Sequence, residues 1–144
     1  MKVLITEDEP ILADELETIV RDLGHQVVGV AGSSSRALKL AEMAICDLAL
    51  VDVHLSDGVT GPAVARHLSE EGRATVIFTT TNPERIPEDF SPACGLLVKP
   101  LTEHALKSAI SFVADCMKMG EAARPKPRSL HLAPAYAARW KVAS

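Results

Sequence analysis

Three short apolar runs in this chain end abruptly in charge: ITEDEP at residues 5–10, LALVDVHLSDG at 48–58 and GLLVKP at 95–100. The middle run constrains the fold most. A strand with one wet face alternates apolar and polar residues. The unbroken LALV before Asp52 instead marks a strand covered on both faces, as in a parallel sheet packed between helices. Such strands do not finish in carboxylates unless a sheet edge gathers them. Laid parallel, these three bring Glu7, Asp8, Asp52 and Lys99 to one crevice.

The rest of the chain supplies the matching pieces. KVLIT at 2–6 reads as a strand, and Pro10 suits the first turn of a helix. Ile11, Leu12, Leu16, Ile19, Val20 and Leu23 recur at helical spacing up to a stop at Gly24. VVGV at 27–30 is a second strand. A cap region at Ser33–Ser35 then opens a helix carrying Leu38, Ala41 and Ile45. Pro62 begins a third helix with Val64, Ala65 and Leu68 inward. TVIFTT at 75–80 and GLLV at 95–98 are the last strands, and Thr102 caps a final helix through Met117. Five rounds of strand and helix predict an α/β fold, a doubly wound five-stranded parallel sheet. Pro83, Pro87 and Pro92 make any fourth helix, within 82–93, short or irregular.

Composition excludes several classes. Cys46, Cys94 and Cys116 form no CxxC pair and read as reduced packing residues rather than metal ligands. No apolar run approaches the roughly 18 residues that span a bilayer. The chain enters a strand at once with no secretory signal, so a cytoplasmic protein away from membranes is expected. Residues 1–117 hold nine Lys/Arg and eighteen Asp/Glu, a balance of −9. Residues 118–144 hold six and one, a balance of +5. The acidic body is a poor nucleic-acid binder.

Ligands of doubly wound sheets collect outside the carboxyl ends of the strands. Those ends here carry Glu7, Asp8, Asp52, Thr80 and Lys99. Three crowded carboxylates repel one another, and a hard, oxygen-ligated cation such as Mg2+ relieves the repulsion. A free Asp52 oxygen could then attack phosphorus and form an acyl phosphate. Lys99 would offset charge on the phosphoryl oxygens, and the Thr80 hydroxyl would hydrogen-bond one of them.

In order, ITEDEP, LALVDVHLSDG, VIFTTT and LLVKP resemble the receiver domain of bacterial two-component response regulators, a flavodoxin-like, CheY-like fold. The likeness covers about residues 1–118 and leaves a basic, Pro-containing tail at 119–144. It implies strand order 2-1-3-4-5 and Asp52 as phosphoacceptor. Asp8 would bind Mg2+ directly, Glu7 would act mainly through a bound water, and the backbone carbonyl of His54 would complete the ligands. Thr80 would be the switch hydroxyl and Lys99 the phosphate-pairing lysine. The implied donor is a sensor histidine kinase or phosphotransferase. GHQVVGVA, LSDGVTG and VIFTTTNPER are also similar to receivers of the alphaproteobacterial general stress response.

One departure stands out. The family places an aromatic switch residue three positions before the lysine, where this chain has Leu96. A ring flip is therefore not expected, and the Pro-broken 82–93 segment is the expected place of rearrangement. The chain reads as a stand-alone module that works by partner binding or as a phosphate shuttle or sink. It would be no enzyme beyond its own phosphorylation and dephosphorylation. The alternative is an aspartyl-phosphate-forming hydrolase on the same fold. A flavin carrier is disfavoured by the acidic first loop, and a nucleotidase by the absence of GxxxxGK[ST]. The tail reads either as a disordered, solubilising end or as a docking arm for a kinase, a second subunit or the acidic body. Direct DNA binding is not expected of so short a segment. Tyr136 and Trp140, four apart, would share a face if the end were helical.

Overall fold

LALVD becomes a strand buried along its whole length. This strand, β3 (Leu48–Asp52), lies inside the sheet of a computed structural model that describes residues 1–142. The last two positions of the predicted tail, 143 and 144, lie outside the described residues. On either side of β3 run β1 (Lys2–Thr6) and β4 (Thr75–Thr80), then β2 (Gln26–Ala31) and β5 (Gly95–Val98), all parallel. The sheet order is β2-β1-β3-β4-β5, with a sixth strand, β6 (Leu130–Leu132), antiparallel on the β5 edge.

Alternate residues of each strand face opposite sides of the sheet, and each side has its own core. On one side Val3, Ile5, Leu50, Ile77 and Leu97 pack against α1 (Pro10–Asp22) and α4 (Glu103–Met119). On the other, Leu4, Val51, Phe78 and Leu96 pack against α2 (Ser34–Met43) and α3 (Gly61–Ser69). The helices start where their sequences provide caps. Ser33 Oγ accepts the Arg36 amide of α2 at 3.2 Å, and Thr102 Oγ1 accepts the Ala105 amide of α4 at 3.0 Å. All three cysteines are free and buried, and burial pushes the Cys46 thiol up to about 11.

Two sequence expectations need correction. α2 ends at Met43 because Ala44 is already extended, so Ile45 leaves the helix and is 72% exposed. Ile11 points to solvent at 71%, while Ala13, Leu16, Ile19 and Val20 form the buried stripe of α1. Between β4 and β5 there is one 3-10 turn, Pro83–Arg85, and the loop is held down by buried Ile86 and Ala93.

Through residue 142 the basic tail is ordered, and it docks on the body of its own chain. After Gly120 closes α4 at φ +80°, the chain forms β6 and a short α5 (Pro134–Arg139). Leu130 is fully buried and Trp140 is 3% exposed within the α1–α4 core. Tyr136 and Trp140 do meet, edge to face, with ring centroids 5.0 Å apart.

Candidate functional site

Parallel pairing brings the charged strand ends together, as the three apolar runs require. Glu7 follows β1, Asp52 closes β3 and Lys99 follows β5. Lys99 Nζ donates to Glu7 Oε1 and to Asp52 Oδ2, each at 2.7 Å. The lysine thus spans the crevice from the far side of β4. Glu7 and Asp52 are both buried, whereas Asp8 is exposed at the mouth. Carboxylate oxygens of Glu7, Asp8 and Asp52 lie within 4.8 Å of one another.

The electrostatics follow from that geometry. Burial pushes the Glu7 carboxyl up to about 7, against the pull of Lys99 and of the Glu9 amide, with Asp52 adding repulsion. For Lys99, burial works to lower the pKa. Its hydrogen bonds to Asp52 and Glu7 outweigh burial and hold it above the usual lysine value. Three carboxylates face one ammonium, a shortfall of two positive charges if all ionise. A hard divalent cation matches both that deficit and the all-oxygen donor set.

The loops around the crevice are tied to the frame. The His54 amide donates to Asp52 Oδ1 at 3.1 Å, fixing the carboxylate that Lys99 holds from the other oxygen. Asp57, in the loop after β3, accepts the Ser34 amide at the start of α2, the Ser34 hydroxyl at 2.6 Å and the Thr60 hydroxyl at 2.7 Å. Those bonds lower its pKa to about 2. Sequence reading missed Asp57, although an acid placed against a serine-rich helix start is a recognisable capping signal. Behind Asp52, α3 begins at Gly61, where a Cβ would sit 2.2 Å from the Asp52 carbonyl oxygen. Thr80 is fully buried, and its hydroxyl accepts the Asn82 amide at 2.9 Å. Thr80 therefore lines the end of β4 without bonding the carboxylates in this state. Leu96 is 2% exposed, paired with Phe78 on one side and His131 on the other.

A doubly wound sheet with acids at two strand ends and a lysine at the fifth defines a receiver. The chain belongs to the response regulator receiver domain family, whose profile matches residues 3–111. It is 38% identical over 112 residues to the phyllosphere-induced regulator PhyR of Methylorubrum extorquens, covering 76% of this chain and 42% of that protein. It is 32% identical over 118 residues to the transcriptional regulatory protein PdtaR of Mycobacterium tuberculosis, covering 79% and 57%. Among solved structures, the PhyR receiver domain of Erythrobacter litoralis matches with TM-score 0.71 and 30% identity, over 88% of this chain and 95% of that one. PhyR of Brucella abortus matches with TM-score 0.70 and 33% identity, over 82% and 50%. This chain spans about half the length of the curated relatives it matches. Among the described residues no helix is long and apolar enough to cross a membrane.

Proposed function

We propose that this chain is a phosphoacceptor signalling module, taking a phosphoryl group onto Asp52 from the histidine of a sensor kinase or phosphotransferase. The observation that carries this reading is Lys99 reaching both Glu7 and Asp52 at 2.7 Å inside a three-carboxylate cluster. A carboxylate offers about four lone-pair positions. In Asp52, Oδ1 takes the His54 amide and Oδ2 takes Lys99, so each oxygen keeps spare acceptor capacity. One Asp52 oxygen forms the new bond to phosphorus as the nitrogen–phosphorus bond of the donor breaks, the electron pair returning to the imidazole. Lys99 follows the charge onto the phosphoryl oxygens. Thr80 leaves the Asn82 amide to hydrogen-bond one of them.

Glu7, Asp8, Asp52 and the His54 carbonyl are the residues that would hold Mg2+, which supplies charge neutralisation when bound. The pairing of Glu7 with Lys99 suits a residue that reaches the ion through water. The loop at 82–93, released from Thr80, is the proposed place of rearrangement in the absence of an aromatic at Leu96. The module acts by partner binding or by passing the phosphoryl group on.

Incubation with acetyl phosphate and Mg2+ tests the reading. The intact mass should rise by one phosphoryl unit, mapped to Asp52, and the increment should vanish in Asp52→Asn or with EDTA. A wild-type chain that gains no mass overturns it.

A further inference from the structure

The edge of β5 is covered by the chain's own C-terminal segment, residues 120–142. We propose that this segment is a releasable strap over an interaction surface, and that phosphorylation of Asp52 loosens it. The inference rests on the phosphoacceptor reading and adds what that site controls.

The strap is built into β5 rather than laid on it. β6 pairs antiparallel with Gly95, Leu96 and Leu97, and the Ala133 amide donates to the Cys94 carbonyl at 2.8 Å. Gly95 permits this approach, since a Cβ there would lie 2.7 Å from the His131 carbonyl oxygen. The contact has no slack, so a displacement of β5 opens it rather than tightening it.

The grip beyond the backbone pairing comes from the side chains of Leu130, Ala133 and Trp140, all buried. The Trp140 carbonyl also accepts the Ala122 amide at 2.8 Å, closing the segment on itself. Between Glu121 and Ser129 the chain has no helix or strand, and Pro125 and Pro127 lie in it. The strap can therefore leave as a unit without unwinding α4.

β5 is also the strand that ends at the site. Lys99 follows it directly, and its amide donates to the Thr80 carbonyl at 2.8 Å. Leu96, paired with His131, packs in the same core as Phe78 and the 82–93 loop. When Lys99 moves to phosphoryl oxygens and Thr80 turns from Asn82, close-packed neighbours must follow, because interiors transmit displacement. The next backbone along that line is β6. Release would bare the β5 edge and the slots of Leu130 and Trp140. That surface fits an extended partner segment with the strap's own apolar–polar–apolar order.

Trp140 is the chain's one tryptophan, so it reports on the strap directly. The full chain is loaded with Mg2+ and beryllofluoride, a phosphoryl mimic, and followed by hydrogen exchange at the backbone amides and at the Trp140 indole N–H. We expect the β6 amides and the indole N–H to exchange about tenfold faster. By linkage, Leu130→Ala and Gly95→Ala, which weaken the strap, should bind beryllofluoride more tightly, approaching the same factor as the strap is fully released. Beryllofluoride binding or an Asp52 mass increment with an unchanged strap overturns this inference alone. If neither ligand nor phosphoryl group is taken up, both this inference and the receiver function fall.

Discussion

At the scale of single residues, Glu7 carries the clearest pH signature. Its folded pKa is raised to about 7 from an ordinary 4.5, chiefly by burial. A carboxyl with a raised folded pKa favours folding while protonated, and that advantage disappears as pH climbs through about 7. In metal-free protein, Glu7→Gln should therefore raise the melting temperature at pH 8 and change it much less at pH 4.5, where the unfolded carboxyl is itself half protonated. Thermal unfolding in EDTA at the two pH values checks this. Mg2+ and the proton compete for the same oxygens, so Mg2+ affinity of the wild type should rise from pH 6 to 8. The burial of Glu7 could not be read from TEDEP, where three acids stand side by side and nothing local says which of them faces inward. Only the pairing of β1 between β2 and β3 puts Glu7 inside and leaves Asp8 and Glu9 out.

At the scale of elements, the site is held in place by how α3 meets β3. Gly61 starts α3 against the Asp52 carbonyl, and its amide donates to the Val53 carbonyl at 3.1 Å. Gly61→Ala would drive a methyl into backbone that cannot yield. It should cost ~1–3 kcal/mol or more in urea unfolding, and it should slow phosphorylation because the same shift moves Asp52. The strand–helix rhythm behind this junction was legible because the apolar runs are long and the caps explicit. Failures cluster where helices end. Ile45 continues a helical spacing that the extended backbone at Ala44 has already broken, and periodicity alone does not register such a break. The buried small residue Ala37 carries α2 against the sheet, but alanine gives no strong apolar signal. Proline reading at 82–93 succeeded because proline acts on the local backbone, whatever the tertiary setting.

For the whole molecule, the uneven charge suggests a basic arm drawn to an acidic body, yet packing rather than charge holds the arm. Arg124 pairs with Asp115 and Lys141 with Glu121, and all four side chains are substantially exposed. Exposed pairs of this kind contribute about 0–1 kcal/mol each and weaken further in salt. Leu130 and Trp140, by contrast, sit in the same core as Leu106, Ile110 and Val113. Truncating a buried aromatic costs ~3–5 kcal/mol, several times the value of either surface pair. This ranking was not visible in the sequence, where Tyr136 and Trp140 share a helical spacing of four but nothing shows which surface they pack on. It appears only once the β5 edge offers backbone groups to β6. The comparison makes a direct test: Trp140→Ala should lower stability by ~3–5 kcal/mol and expose the 130–142 amides to exchange. Arg124→Ala, or 0.5 M salt, should change stability by less than about 1 kcal/mol and leave those amides protected. The reverse ranking would mean that the arm is an electrostatic appendage, free to leave whenever ionic strength rises.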